Sequence, residues 1–162
     1  MKESKHFIEN IIEEDLSSGV QKKDLKFRFP PEPNGFLHIG HVKAIWINFN
    51  LAQNYSSPVV LRFDDTNPEK EEQKYIDAIK EDVKWLGYTW KEERYASDYF
   101  TQLHSWANTL IKQGLAYVDS QTSDTIAYQK GTPTKAGKNS PYRNRPVEEN
   151  TDLFSKMTNG TY

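Results

Sequence analysis

Two histidines three residues apart are the side chains in this sequence best suited to chemistry. His38 and His41 enclose Ile39 and Gly40, and they follow a proline-rich stretch, "RFPPEPNGFL". A helix that begins here would offer unpaired backbone N–H groups and a partial positive charge to an anion. Both imidazoles could donate hydrogen bonds to a phosphate, and Gly40 would let a ligand approach the backbone closely. The pattern favours phosphate chemistry.

The same histidine pair has two simpler interpretations. A pair at positions i and i+3 often caps a helix or packs against it. It could also supply two imidazole ligands to a metal ion, but no third histidine or cysteine lies nearby in the sequence, so we expect no metal site. The proline-rich stretch favours phosphate binding over capping alone, because a rigid loop holds the donors in place with little reorganisation.

A pair of carboxylates forms a second candidate group. Asp64 and Asp65 lie in "LRFDDTNP" at the end of a predicted strand, where such a pair most often caps a turn. Beside a phosphate site, one carboxylate could bind the ammonium group of an amino acid while the other holds the loop in shape. Arg28, at the end of an earlier strand, could face the same cleft, although its simpler interpretation is a surface salt bridge.

The elements around these residues alternate between strand and helix. Periodicity and turn residues predict helices at 7–16, 38–55 and 69–86 and strands at 25–29 and 58–65. This order is typical of a parallel α/β fold, in which ligands bind beyond the carboxyl ends of the strands. Both candidate groups lie at such ends. The apolar face of the second helix is predicted to comprise Val42, Ile45, Trp46, Phe49 and Ala52.

The second half of the chain has a different pattern of residues, and we place a domain boundary near residue 95. Ser97 is expected to cap a helix over 98–113, and Thr122 or Ser123 another that ends near Gly131. The segments not yet assigned are predicted as a strand at 115–119, a basic loop or hairpin at 131–146 and a helix at 147–157.

Composition limits the class of protein. The 162 residues are 36% hydrophobic and carry a formal net charge of -2, which suits a globular protein without overall affinity for nucleic acid. The absence of cysteine excludes disulfides and thiolate-bound zinc. The N-terminus is too charged for a secretory signal, and no apolar run reaches membrane-spanning length. We therefore expect a cytoplasmic protein with no membrane partner.

The two motifs together resemble a known family. "RFPPEPNGFLHIGHVKA" followed by "LRFDDTNPEKE" is similar to the N-terminal catalytic region of class I glutaminyl- and glutamyl-tRNA synthetases, and "HIGH" matches the first class I signature. "PNG" at 33–35 and "KNSPYRNRPVEEN" at 138–150 resemble the glutaminyl enzymes in particular. The resemblance implies a lead-in at 1–24, the first half of a Rossmann-like catalytic domain at 25–96, and the beginning of an α/β acceptor-stem-binding insert at 97–162.

The resemblance also implies an activity. Family members activate glutamine with ATP to glutaminyl adenylate and transfer it to the 3′ end of tRNA(Gln), with Mg2+ accompanying ATP. By this resemblance His38 and His41 are catalytic, and Arg28 and Asp64 bind the amino acid. The residues implied at the ATP site are Pro31, Glu32, Pro33, Asn34, Gly35, His38, Gly40 and His41. Those implied at the tRNA acceptor stem are Lys130, Thr132, Lys135, Lys138, Arg143 and Arg145, near a loop centred on Pro133.

Other functions stay open at this point. The second class I signature, a "KMSKS"-like loop, does not occur in the 162 residues, so we expect this piece alone to have little aminoacylation activity. We expect a monomer. The alternatives are a glutamyl enzyme, its truncated relative that glutamylates a modified tRNA base, a small-molecule adenylyltransferase and a non-catalytic tRNA-binding module.

Overall fold

The computed structural model describes residues 5–162, so residues 1–4 of the predicted lead-in lie outside the described residues. The chain divides into two compact units, one ending at Tyr99 and the other beginning at Phe100. Within the described part of the chain, no helix is long and apolar enough to cross a membrane.

The first unit is a three-stranded parallel sheet with helices. Its strands are β1 (Phe27–Phe29), β2 (Val59–Phe63) and β3 (Glu92–Tyr95), in the order β1-β2-β3. Its helices are α1 (Phe7–Ser17), α2 (Ile39–Asn54) and α3 (Gln73–Trp85). The parallel α/β architecture predicted from the sequence is confirmed.

The core lies between the sheet and helices α2 and α3. Phe63 and Leu61 of β2 and Ile45, Ile79 and Val83 of the helices are fully buried. Burial of such side chains is the main source of stability for a unit of this size.

The predicted apolar face of α2 is wrong at one position. Ile45, Phe49 and Ala52 are buried, but Trp46 is 59% exposed. At about 100° per residue, Phe49 and Ala52 lie within about 40° of Ile45 around the helix, whereas Trp46 lies about 100° away. The Trp46 side chain therefore does not pack against the sheet.

Predicted elements of this unit are shorter than expected, and one strand was missed. β1 covers only Phe27–Phe29, and α3 begins at Gln73 rather than near residue 69, because Asn67 and Lys70 form a turn before the helix. β3 was not predicted because "EERY" has no apolar alternation. It forms because β2 presents an open edge with which it pairs in register.

A polar network joins β3 to α3 and yields a pH-dependence prediction. Lys80 forms an ion pair with Glu93, and the Tyr95 hydroxyl donates to the same carboxylate at 2.6 Å. Partial burial raises the pKa of Glu93, but the hydrogen bonds from Lys80 and Tyr95 outweigh it and lower that pKa from its ordinary 4.5. The carboxylate thus stabilises the fold above pH 4.5, and this contribution is lost as pH falls through the lowered pKa.

We expect Glu93→Gln to destabilise the chain by roughly 1 kcal/mol at pH 7 and to make little difference at strongly acid pH. Urea unfolding at a series of pH values measures this, with Glu81→Gln at an exposed position of α3 as the control. A constant difference between wild type and Glu93→Gln across the acid range would contradict the prediction.

The second unit contains three helices: α4 (Phe100–Lys112), α5 (Ser123–Gln129) and α6 (Val147–Thr158). α4 packs against α6, with the His104 ring stacked on Phe154. Thr122, one of the two residues expected to do so, caps α5. The helix expected from residue 98 instead begins at Phe100, after a 3-10 turn over Ser97–Tyr99.

The predicted strand at 115–119 is wrong. The Val118 N–H donates to the Asn150 side-chain oxygen at 2.9 Å, and the Val118 carbonyl accepts from Arg145 at 2.8 Å. Side chains thus satisfy the backbone groups that a neighbouring strand would otherwise pair with. In the loop at 131–146, the hairpin is reduced to a single antiparallel bridge between Thr132 and Lys135.

Candidate active site

The two histidines cap helix α2 reciprocally. The Gly40 N–H donates to His38 Nδ1 at 3.0 Å, and the His38 N–H donates to His41 Nδ1 at 3.1 Å. The ring centroids are 4.1 Å apart. Each bond satisfies a backbone donor that the first turn of a helix leaves unpaired. The capping interpretation is therefore correct as a description of one edge of each ring.

Capping leaves the other edge of each ring available. In a neutral imidazole whose Nδ1 accepts a hydrogen bond, the proton is on Nε2. His38 is exposed and His41 half-buried, so both Nε2–H groups can serve as donors to a ligand. Capping and anion binding are thus compatible at this helix terminus.

The space that a side chain at Gly40 would occupy is taken by the ring of His38. A Cβ atom at position 40 would lie 2.7 Å from Cε1 and 2.9 Å from Nδ1 of His38. Any larger residue would push the ring away and break its bond to the position-40 amide. The sequence pointed to ligand approach as the reason for this glycine, and the structure adds the histidine ring.

The proline-rich loop is anchored to the segment that follows β2. The Pro31 carbonyl accepts the Asp64 N–H at 2.9 Å, and the Pro33 carbonyl accepts the Glu72 N–H at 3.3 Å. Both prolines are buried. The loop is therefore fixed at two points, and it carries three residues that are exposed or half-buried: Glu32, Asn34 and Gly35.

The two adjacent carboxylates have different surroundings. Asp65 accepts hydrogen bonds from the Ser97 N–H, at 2.9 Å, and from the Ser97 hydroxyl. Asp64 is exposed, which leaves its carboxylate accessible to a ligand. Ser97 was expected only to cap a helix. Its link to Asp65 could have been inferred had β3 been recognised, because both residues follow neighbouring parallel strands.

Arg28 lies on the face of the sheet opposite α2 and α3. It is the register partner of Val60, and Asp64 follows Val60 by four residues, about 13 Å along the strand direction. By strand alternation the two positions belong to the same side of the sheet. Arg28 borders a cleft of about 460 Å³ whose other cations include Lys26, Arg62 and Arg94. The proline-rich loop, which leads into the histidine pair, is thus bonded to Asp64, and Arg28 lies about 13 Å from Asp64 along the strand direction.

In the second unit, five of the six predicted tRNA-binding residues are exposed: Lys130, Thr132, Lys135, Lys138 and Arg143. Arg145 differs. Its guanidinium donates to the Val118 carbonyl and to the Ser120 hydroxyl at 3.0 Å, pairs with Glu149 and lies over the Tyr142 ring. Its side chain is 8% exposed. The structure gives Arg145 an internal role, so we remove it from the set of phosphate-binding candidates.

The basic loop is closed by a tight approach of two glycines, which gives a second prediction. Gly131 has φ +79°, and a Cβ there would lie 2.6 Å from the backbone of both Gly137 and Lys135. Gly114 has a similar φ of +70°, with no atom within 4 Å of its Cβ position. We expect Gly114→Ala to cost roughly 1 kcal/mol from backbone strain alone and Gly131→Ala to cost clearly more. Urea unfolding of both variants checks this, and equal losses would show that the loop yields to the extra atom.

Comparison with solved structures defines the class of fold. The chain is similar to a glutamate tRNA ligase from Elizabethkingia meningosepticum in complex with its amino acid, with a TM-score of 0.57 and 21% identity over 84% of this chain and 31% of that one. It is also similar to the glutamate-tRNA synthetase of Elizabethkingia anophelis, with a TM-score of 0.60 and 20% identity over 84% of this chain and 32% of that one. Over most of its length the chain thus has the fold of these tRNA synthetases.

Sequence comparison gives the family. The family model for class I tRNA synthetases (E and Q), catalytic domain, matches residues 24–162, and the chain belongs to this family. Relatives named glutamine–tRNA ligase are 59% identical in Nitrosomonas europaea, 58% in Neisseria meningitidis, both over 97% of the chain, and 54% in Nitrobacter winogradskyi, over 96%. The chain spans about 28% of the length of these relatives.

Proposed function

We propose that this chain forms the N-terminal part of the catalytic domain of a glutamine–tRNA ligase. The intact protein would activate glutamine with ATP and transfer the glutaminyl group to tRNA(Gln). The observation that carries the proposal is the 59% identity to a glutamine–tRNA ligase over 158 residues that include the whole candidate site. Residues 1–162 alone would charge tRNA poorly, since they lack the second signature loop.

ATP would bind at the amino terminus of α2 and the proline-rich loop. His38 and His41 would donate their Nε2–H groups to phosphate oxygens. The negative charge on these oxygens increases as the glutamine carboxylate attacks the α-phosphate and pyrophosphate leaves. The fixed loop, with Pro31 and Pro33 buried, would present Glu32 and Asn34 to the nucleotide. Gly35, with nothing within 4 Å of its Cβ position, would give the nucleotide room, and Gly40 would keep the His38 ring in place beside it. The reciprocal caps keep both rings oriented before ATP arrives.

Glutamine would bind on the side of the sheet opposite α2 and α3, to which Arg28 and Asp64 belong. The accessible carboxylate of Asp64 would accept hydrogen bonds from the ammonium group, a charge-assisted interaction. Arg28, further along the same side, would face the side-chain amide.

Mg2+ would reach the site together with ATP. Among residues 5–162, no three His, Cys, Asp or Glu side chains are grouped so that they could hold a metal ion. The ion would therefore be bound through phosphate oxygens and water, as Mg2+ commonly is.

The acceptor stem of tRNA would contact the basic loop of the second unit. Lys130, Lys135, Lys138 and Arg143 are exposed cations suited to phosphate contacts, and Thr132 lies among them. Such contacts would make binding weaken as salt rises. We also propose that the intact protein is a monomer. It would be located in the cytoplasm, since the cysteine-free composition fits a reducing compartment.

A chimera tests the proposal directly. This chain would be joined to the remainder of the Nitrosomonas europaea enzyme, beyond the 158 matched residues. We expect ATP–pyrophosphate exchange that depends on glutamine in the presence of tRNA, and charging of tRNA(Gln). The same remainder joined to a chain carrying Asp64→Ala is the matched control. No exchange with glutamine, or exchange with glutamate instead, would overturn the proposal, and exchange without any tRNA charging would favour an adenylyltransferase.

A further inference from the structure

Hydrogen bonds link the segments that follow all three strands of the sheet. After β1, the Pro31 carbonyl accepts the Asp64 N–H. Between β2 and β3, the Ala96 N–H donates to the Phe63 carbonyl at 3.0 Å and extends the ladder by one step. Beyond that step, Asp65 accepts two hydrogen bonds from Ser97. The loops at the carboxyl end of the sheet are therefore tied into one unit at Asp64 and Asp65.

These contacts restrict Asp64 from both sides. Its own N–H is bonded to Pro31, and the side chain of the next residue is held by two donors of Ser97. The peptide plane before Asp64 and the residue after it are fixed, so the carboxylate keeps only its own side-chain rotations. Fixing a binding group before the ligand arrives lowers the entropy cost of binding.

We propose that Ser97 is a positioning residue for the amino-acid substrate, and that it acts on Asp64 through Asp65. The inference rests on the proposed function, in which Asp64 binds the ammonium group. Ser97 itself need not touch the substrate. Its hydroxyl and N–H hold the Asp65 carboxylate, and Asp65 holds the backbone that aims Asp64.

The first test measures the position of Asp64 without any activity. In the 162-residue chain, amide hydrogen exchange at Asp64 reports its bond to Pro31. We expect Ser97→Ala to speed exchange at this amide about five- to tenfold, as for loss of one supporting hydrogen bond. The amide of Gly114, which is bonded to Ile111 at the end of α4 and opens locally, should be unchanged. Unchanged exchange at Asp64 would overturn the proposal, whether or not the protein is a synthetase.

The second test separates positioning from a general structural role. In the chimera, Ser97→Ala should raise KM for glutamine about five- to tenfold and leave KM for ATP within about twofold. Ser97→Thr retains the hydroxyl and should restore the wild-type KM, while Asp65→Asn, which keeps one acceptor oxygen, should lie between. Equal rises in both KM values would overturn the positioning role. If the unsubstituted chimera showed no glutamine-dependent ATP–pyrophosphate exchange, the result would count against the proposed function. The amide hydrogen exchange at Asp64 would then decide the positioning role by itself.

Discussion

Replacing His38 with asparagine should remove most of the activity of the chimeric enzyme and leave helix α2 intact. The asparagine Oδ1 lies near the position of imidazole Nδ1 and can accept the Gly40 N–H, so the cap survives. Asparagine has no group at the position of Nε2, so the donor that we propose for the phosphates is lost. Loss of one preorganised donor to a developing charge lowers kcat about 100- to 1000-fold. The same reasoning applies to His41→Asn.

Glutamine substitutions provide the matched control. The glutamine amide reaches the position of Nε2 but places no acceptor at Nδ1. We expect His38→Gln to lose about 1 kcal/mol of stability through the missing cap and to keep more activity than His38→Asn. ATP–pyrophosphate exchange in the chimera and urea unfolding of the 162-residue chain give the two readouts. If His38→Asn kept wild-type activity, the histidine would serve the helix alone.

Truncating Phe63 should have the largest effect on stability of any single change considered. Phe63 lies at the end of the central strand, is fully buried and stacks on Tyr95 with ring centroids 5.2 Å apart. Removing a buried phenyl ring costs about 3–5 kcal/mol, from lost burial and the cavity that remains. Small proteins are stable by only about 5–15 kcal/mol. We therefore expect Phe63→Ala to leave the 162-residue chain partly unfolded at about 37 °C.

Urea unfolding followed by circular dichroism measures this loss. Phe63→Leu fills most of the space and should lose less than half as much. Trp85→Ala removes a larger side chain that is 84% exposed, and it should change stability by no more than about 0.5 kcal/mol. A similar loss from Trp85→Ala and Phe63→Ala would mean that the core is not where the structure places it.

Local patterns in the sequence were sufficient for much of this protein. Helices α1, α2, α5 and α6 follow from apolar periodicity and end residues, and Thr122 was one of two residues expected to cap α5. The histidine pair was recognisable because its geometry is closed within four residues: the caps join His38, Gly40 and His41. Interactions of such short range depend on residues close together in the sequence, so they can be predicted without knowledge of the fold.

Interactions between distant residues were not accessible in this way. Trp46 lies outside the core, and Arg145 is held by Val118 and Ser120 rather than left exposed. The strand predicted around Val118 is replaced by side-chain hydrogen bonds from Asn150 and Arg145. The type of a residue determines which bonds it can make, but the packing of the fold determines which partner lies within reach.

The amino-acid sequence by itself determined the parallel α/β class, the helix terminus with its two imidazoles, and the pair of carboxylates after β2. Only the tertiary structure decided which carboxylate is accessible and which is held, because Asp65 and Ser97 are 32 residues apart and meet through the pairing of β2 with β3. The β3 strand that brings them together has a charged sequence with no strand pattern of its own. It forms because the edge of β2 supplies backbone partners, and that edge exists only once the sheet has folded.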